Sequence, residues 1–525
     1  MKKLLLLLLP LMLLFTACSP QDAKDVENSI VIALSSEPEE GFDPCLGWGK
    51  DGNPLFQSSL LKLDKDMNLQ CDIATNYTHS EDSLTWTFQI RDDIKFSDGT
   101  NLTAEDVAFT YETARNSASI VDLTVIDKIN VVDDTTIEFI LKHPQIAFLT
   151  TASQIGIVPE ASYDENYSQN PIGSGPFKML QWDKGEQVIM GINEYYYGQK
   201  PNFERVTILF MSDDTAYSAA LNGDVDVCIT NMTLADNTID GMDLERFDTI
   251  DNRGLTLPAV EDTGLKNSYD YPIGNAVTSD KYIRQALSYG INRDELVTNA
   301  LNSYGTPAYS ECDGMPWASE DAYVEYNPEY AIKILEDNGW ILGEDGIRYK
   351  DGLKAEFTLL YSSADSARQA LSFAVASNAK EIGINILPHG TSWDEINKLM
   401  NSNAVLMGFG SQNPMQTYYL YHSSYAGLGY HNPEYYTSEI TDNYLLEALA
   451  KTDYDEFLEM YKKVQWNGET GVSSQGECPF LWLVNVDHLY FINKNLDIKE
   501  QKIHPHGQSW PLLSNLNEWE WKTND

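Results

Sequence analysis

Residues 74–111 read A-T-N-Y-T-H-S-E-D-S-L-T-W-T-F-Q-I-R-D-D-I-K-F-S-D-G-T-N-L-T-A-E-D-V-A-F-T-Y, and the fold is decided there. Leu84, Trp86, Phe88 and Ile90 alternate with Thr85, Thr87 and Gln89. That period of two buries one face of a strand and wets the other. Asp98-Gly99 tolerates positive φ and turns the chain. Thr103 is placed to cap a helix, with Asp106 three residues on and Val107, Ala108, Tyr111 and Ala114 behind it. No residue of the stretch is chemically reactive in this context, so it identifies a scaffold and not a reaction.

Working outward, Ile30-Val31-Ile32 reads as a first strand, residues 54–61 as a helix, and Asp133-Asp134 as the turn of a hairpin joining 129–132 to 137–141. Pro171-Ile172-Gly173-Ser174-Gly175-Pro176-Phe177 fixes a turn before a strand over 178–182, which Lys184-Gly185 turns back into 187–192. A strand over 207–211, a helix over 215–221 and a strand at 224–226 make a β-α-β unit, which implies a parallel pair. Residues 282–289 form an amphipathic helix, and Asn292 with Glu295 opens a second through a capping-box pattern. Asn327-Pro328 starts a helix that closes at Gly339. Residues 340–360 read as a hairpin leading into a strand, 367–380 as a helix and 384–387 as a strand.

In kind and order these blocks resemble the family 5 extracellular solute-binding proteins, the receptors of ABC importers for peptides, nickel and related solutes. The matching residues of the first block are Ala74, Glu81, Asp82, Thr85, Trp86, Phe88, Ile90, Arg91, Lys95, Phe96, Asp98, Gly99, Ala104, Glu105, Asp106 and Val107. The segment 171–177 is a second block. Asn193-Glu194-Tyr195-Tyr196-Tyr197-Gly198 is a third, with Tyr197 where the family has Trp. Arg284-Gln285-Ala286-Leu287-Ser288-Tyr289-Gly290-Ile291-Asn292-Arg293-Asp294-Glu295-Leu296 is a fourth. The resemblance spans roughly residues 29–500. It implies an α/β periplasmic-binding-protein type II fold, two lobes joined by a hinge, with an extra subdomain inserted in lobe I. The implied division is 29–49, 171–263 and 484–525 for lobe I, 50–170 for the inserted subdomain and 264–483 for lobe II. The lobes would connect near 262–275 and near 483–486. A solute held between them would bias the hinge toward a closed form that delivers to a permease. No cofactor is implied.

Composition agrees with a large globular protein. The chain has 525 residues, too many for one core of ordinary size, and 42% are hydrophobic. Asp and Glu number 79 against 35 Lys and Arg, a net charge of −44. Such a surface repels nucleic-acid phosphates and anionic lipid heads, so no nucleic-acid partner is expected. Lys2-Lys3 followed by the apolar run 4–17 reads as a secretory signal peptide over residues 1–17. It ends in Phe15-Thr16-Ala17-Cys18, which resembles the lipobox of bacterial lipoproteins with Phe15 in place of the usual Leu. Cys18 is then the lipidation site and residues 18–28 a tether. The membrane contact would be that lipid alone, with the protein held outside the cytoplasm in the cell envelope. Cys45, Cys71, Cys228, Cys312 and Cys478 remain, an odd number with no CxxC, and the sequence assigns no pair.

No HExxH, GxSxG, GxxxxGK[ST] or zinc-type cysteine cluster occurs. An enzyme is therefore not expected; the competing classes are a secreted hydrolase built on paired carboxylates and a sensor or adhesive lipoprotein. Gly47-Trp48-Gly49-Lys50-Asp51-Gly52 matches GxGxxG by letter but does not follow a strand directly, as a dinucleotide site requires. In the resembling family this loop borders the ligand cleft, which marks Trp48. The leading site candidate is 405–430, V-L-M-G-F-G-S-Q-N-P-M-Q-T-Y-Y-L-Y-H-S-S-Y-A-G-L-G-Y. There Phe409 stands for the family's aromatic, and Asn413-Pro414 replaces the Asp-Pro whose carboxylate holds a peptide's α-ammonium. With Gln412 and Tyr418, these residues are the expected ligand contacts. Nickel receptors of the family clamp chelator carboxylates with first-lobe arginines and reach the metal with a His. Residues 147–159 offer Ser153 and Gln154 but no Arg, which favours a short peptide or peptide-like solute over a nickel chelate. For the nickel alternative the candidate residues are His422, His431, His504 and His506, the last two on one side of an extended His504-Pro505-His506. Trp393, between a strand and a helix over 394–400, is expected in the core.

Overall fold

The computed structural model describes residues 28–50, 54–117 and 119–523. The signal segment, Cys18 and most of the tether lie outside them. Two sheets organise the chain. The first has seven strands in the order Met242–Phe247, His488–Asn493, Val227–Thr230, Ser29–Leu34, Arg205–Phe210, Gln187–Ile192, Phe177–Asp183. Ser29–Leu34 is parallel to both of its neighbours, Arg205–Phe210 and Val227–Thr230. The β-α-β unit thus has the expected parallel strands, with the amino-terminal strand laid between them instead of a direct pair. The second sheet has six strands in the order Gly305–Pro307, Phe480–Val486, Asn252–Thr256, Ala404–Met407, Glu356–Ser362, Asn385–Thr391. Its last three are mutually parallel. The two sheets and the helices packed on them are the two lobes of a periplasmic-binding-protein type II fold.

The opening stretch forms a smaller four-stranded sheet, Ala74–His79, Thr85–Ile90, Thr136–Leu141 and Ile126–Asp133. Trp86, Phe88 and Ile90 are buried, and Thr87 and Gln89 between them are not. Phe88 meets Phe139 edge-on at 5.7 Å. Gly99 takes φ +88°, which only glycine adopts freely, and the chain turns there. The helix Ala104–Asn116 follows, with Asp106 Oδ2 accepting the Thr103 N–H at 2.9 Å. Residues 54–61 do not form the expected helix. Their backbone is taken up by distant partners instead: Gly175 N–H to Phe56 O, Phe177 N–H to Leu55 O, Ile157 N–H to Ser58 O and Leu61 N–H to Ala152 O. The bonds from Gly175 and Phe177 tie the small sheet's subdomain to lobe I.

The subdomain also packs against lobe II. Trp86, Phe88 and Phe148 of the one share a continuous apolar cluster with Leu445, Phe457 and Tyr461 of the other. Ile146 N–H donates to Leu449 O at 3.0 Å, and Thr150 Oγ1 lies 3.0 Å from Tyr454 OH.

Between the sheets the chain crosses twice, from Phe247 to Asn252 and at Asp487. The first crossing lies upstream of the connection expected near 262–275. Asn252–Thr256, assigned from sequence to lobe I, pairs instead with Phe480–Val486 and Ala404–Met407 in the second sheet. A third segment lies along both crossings, bridging Thr249 to His504 and passing the His506 N–H to Gly410 O at 2.7 Å.

Candidate functional site

In open α/β sheets, ligands bind beyond the carboxyl ends of the parallel strands. Both sheets offer such an end. In lobe I, Ser29–Leu34 runs into the loop that carries Glu37, Phe42 and Trp48. Trp48 meets Phe42 at 4.8 Å and Trp510 at 4.9 Å, both edge-on. Trp510 Nε1 donates to Ser36 O at 3.0 Å. These residues border a cavity of ≈ 560 Å³ whose wall also holds Glu39, Glu40, Lys50 and Ile120 of the inserted subdomain. Trp48 therefore sits on a cavity wall, and its buried Nε1 has no protein partner.

In lobe II the three parallel strands deliver Arg368, Trp393 and the loop 408–413. Trp393 is not a core residue. It is 36% exposed, its ring carries the Arg368 guanidinium at 5.4 Å, and Tyr430 meets it edge-on at 6.2 Å. Arg368 donates to Asp365 Oδ2 at 3.0 Å and to Leu406 O at 2.7 Å. Arg253, on the neighbouring strand Asn252–Thr256, lies against Gly408: a Cβ there would meet Arg253 Nη1 at 2.8 Å. Burial, together with this second guanidinium, brings Arg368 down to about 10.

The loop itself is tightly built. The Phe409 N–H donates to Asn252 Oδ1 at 3.0 Å, and its ring stands edge-on to Phe480 and Trp482, which stack at 3.7 Å. Gly410 is required by space, since an added Cβ would lie 1.9 Å from Ile250 O. Gln412 is buried and donates to Ile503 O at 2.7 Å, so it anchors the loop. Asn413 Nδ2 donates to Gln154 Oε1 at 2.7 Å, an amide bridge from lobe II to the inserted subdomain. Gln154 Nε2 in turn donates to Lys50 O at 2.9 Å. Tyr418 is half-buried and stacks on His422 at 4.5 Å.

The four candidate histidines fall into two places. His422 and His431 border an aromatic cluster, His431 against Tyr419 at 5.0 Å and Tyr425 at 5.6 Å. Burial lowers the affinity of both imidazoles for a proton. His504 and His506 do not face one site. His504 is fully buried and stacks on Phe247 at 5.1 Å, with Nδ1 3.1 Å from His488 Nδ1. His506 Nδ1 lies 2.6 Å from Asp251 Oδ1. Asp251 also meets His488 Nε2 at 3.3 Å and pairs with Arg253. Burial works against its charge, but Arg253 and the imidazoles outweigh burial and hold the carboxyl well below the usual range. A carboxylate only accepts, so His488 Nε2 carries a proton. His488 Nδ1 and His504 Nδ1 share one hydrogen bond, with its direction set by the tautomers of the two rings. The His504-Pro505-His506 segment is thus part of a polar hinge. Among the described residues no group of three or more His, Cys, Asp or Glu side chains is placed to hold a metal ion.

Asp251, Arg253, Arg368 and His488 were not singled out from sequence.

Two α/β lobes joined by two chain crossings define a hinged two-lobe fold. The chain belongs to the bacterial extracellular solute-binding proteins, family 5, whose model matches residues 68–430. It is therefore a substrate-binding protein of the ABC importer class, a non-enzymatic binding receptor. It is similar to protein XP55 of Streptomyces lividans, 32% identical over 505 residues, which are 92% of this chain and 89% of the relative. It is 27% identical to the oligopeptide-binding protein AppA of Bacillus subtilis over 509 residues, 88% of this chain and 90% of that one. Among solved structures, NikZ from Campylobacter jejuni in complex with Ni(L-His) superposes with a TM-score of 0.76 at 25% identity, covering 94% of this chain and 100% of that chain. Among the described residues no helix is long and apolar enough to cross a membrane.

Proposed function

We propose that this chain is a lipid-anchored receptor that captures a short peptide or peptide-like solute between its lobes and hands it to an ABC importer. The observation that carries the reading is the Asn413–Gln154 amide bridge across the cleft. Each side chain offers one carbonyl acceptor and an NH₂ donor, the same pair of groups that a peptide bond presents. A bound peptide main chain can trade places with that bridge without leaving a polar atom unpaired. The exposed Trp393 and Tyr430 supply aromatic surface. Trp48, Phe409 and Tyr418 complete the contacts expected on the two walls, while Gln412 acts by fixing the loop. The anchor rests on the lipobox-like sequence ending at Cys18.

A nickel chelate is the second reading. It is favoured by the likeness to NikZ, which was solved with Ni(L-His), and by His422 and His431 beside one aromatic cluster. Titration calorimetry with mixed di- to pentapeptides, and separately with Ni²⁺ plus histidine, decides between them. Binding heat is expected with the peptides. Tight nickel–histidine binding with no peptide heat reverses the order.

A further inference from the structure

A second cavity, of ≈ 590 Å³, lies away from the cleft walls just described. It opens between the inserted subdomain, which supplies Lys62 and Lys65, and the C-terminal segment, which supplies Lys499 and Lys502. Three of these lysines are neutralised in place: Lys62 by Asp72 at 3.5 Å, Lys65 by Glu500 at 3.5 Å and Lys499 by Asp497 at 2.7 Å. Lys502 is different. It is half-buried and has no hydrogen bond or ion pair among the described residues. Burial alone pushes its ammonium down to about 8. An ammonium withdrawn from water without a partner is unfavourable, and an unpaired buried polar group calls for an occupant.

The carboxylates in the wall do not supply the missing charge. Asp64 is spent on its own turn, accepting the Asn68 N–H at 2.8 Å and the Asp66 N–H at 3.0 Å. Asp72 also accepts the Tyr197 hydroxyl at 2.7 Å. Glu520 pairs with Lys499, and Glu518, which also lines the cavity, sets the groove against large polyanions and leaves room for a compact one.

We propose that this groove is a second binding site, separate from the interlobe cleft, that takes a small oxyanion, a carboxylate or phosphate group, on the ammonium of Lys502. The volume suits a small solute. The three ammonium protons would find their acceptors on the anion, and the positive charge its counter-charge.

Amine acylation by a succinimidyl ester near neutral pH, followed by mass-spectrometric mapping, tests the site. Lys502 is expected to react about tenfold faster than Lys333, because far more of it is free amine. Inorganic phosphate or acetate should slow Lys502 by at least about threefold while Lys333 is unchanged, since an occupied ammonium is held protonated. Chloride at equal ionic strength should not. Unchanged Lys502 labelling in both anions overturns the proposal. Lys502→Met keeps the aliphatic stem and removes the charge. Inorganic phosphate should raise the melting temperature of the native protein and leave that of the variant unmoved. An equal rise in both, or none in either, also overturns it, whatever the labelling rate.

Discussion

His488 Nε2 lies 3.3 Å from Asp251 Oδ2, and this contact joins the two chain crossings between the lobes beside the bond from Thr249 Oγ1 to Val486 O at 2.7 Å. Asp251 closes the first crossing, and His488 begins the strand after the second. His506 reaches the same carboxylate from the third segment, and Arg253 pairs with it from the head of the lobe II strand. Any rotation of one lobe on the other must accommodate this carboxylate and its three-way grip.

Asp251→Asn removes the charge while keeping the shape. It leaves Arg253 largely buried without its counter-charge, which costs about 3–5 kcal/mol when a buried pair is broken. The sign with pH is fixed by the depressed carboxyl of Asp251. Its contribution is fully present above the ordinary aspartate range and is lost as pH falls through the lower, folded value. The urea midpoint of the variant should therefore lie below that of the native protein at neutral pH. The gap should narrow only in strong acid; a gap constant down to the lowest pH at which the protein folds would disprove this role.

Ligand is expected to close the hinge. Small-angle scattering should give a smaller radius of gyration with ligand than without. An equal radius, with binding shown independently, counts against hinge closure.

Asn413→Asp restores the carboxylate that peptide receptors of the family place here. Peptides with a free amino terminus should gain about tenfold in affinity over the same peptides N-acetylated, the effect of one charge-assisted hydrogen bond. Equal changes for both forms would show that the amino terminus does not lie at this loop.

Cys18→Ser should release the protein from the membrane fraction, as required if a lipid on that residue is the only attachment. Unchanged retention together with an intact amino-terminal Met defeats the anchor.

The scaffold was legible because its signals are local. Strand alternation at residues 84–90, the turn at Gly99 and the caps at Asn292 and Asn327 each depend on neighbours in the chain. Residues 54–61 misled for the opposite reason: their backbone partners come from residues 152–157 and 174–177. Trp393 looked like core because large aromatics usually are, yet a cation from a different helix holds it at the surface. The site was legible only in part. Phe409 and Asn413 carry a recognisable loop pattern. Asp251, His488 and His506 meet only because two strands switch sheets beside the C-terminal segment, and no spacing within the chain encodes that meeting.

The apolar cluster shared by the inserted subdomain and lobe II gives opening a calorimetric signature. Parting those faces would wet Phe148, Leu449 and Tyr461, and exposed apolar surface raises heat capacity. Opening would then carry a positive heat-capacity change, and the attraction holding the faces together would fade on cooling. An organism living in the cold would have a receptor that lets go more readily than the same receptor at warmth, with no residue at the solute altered.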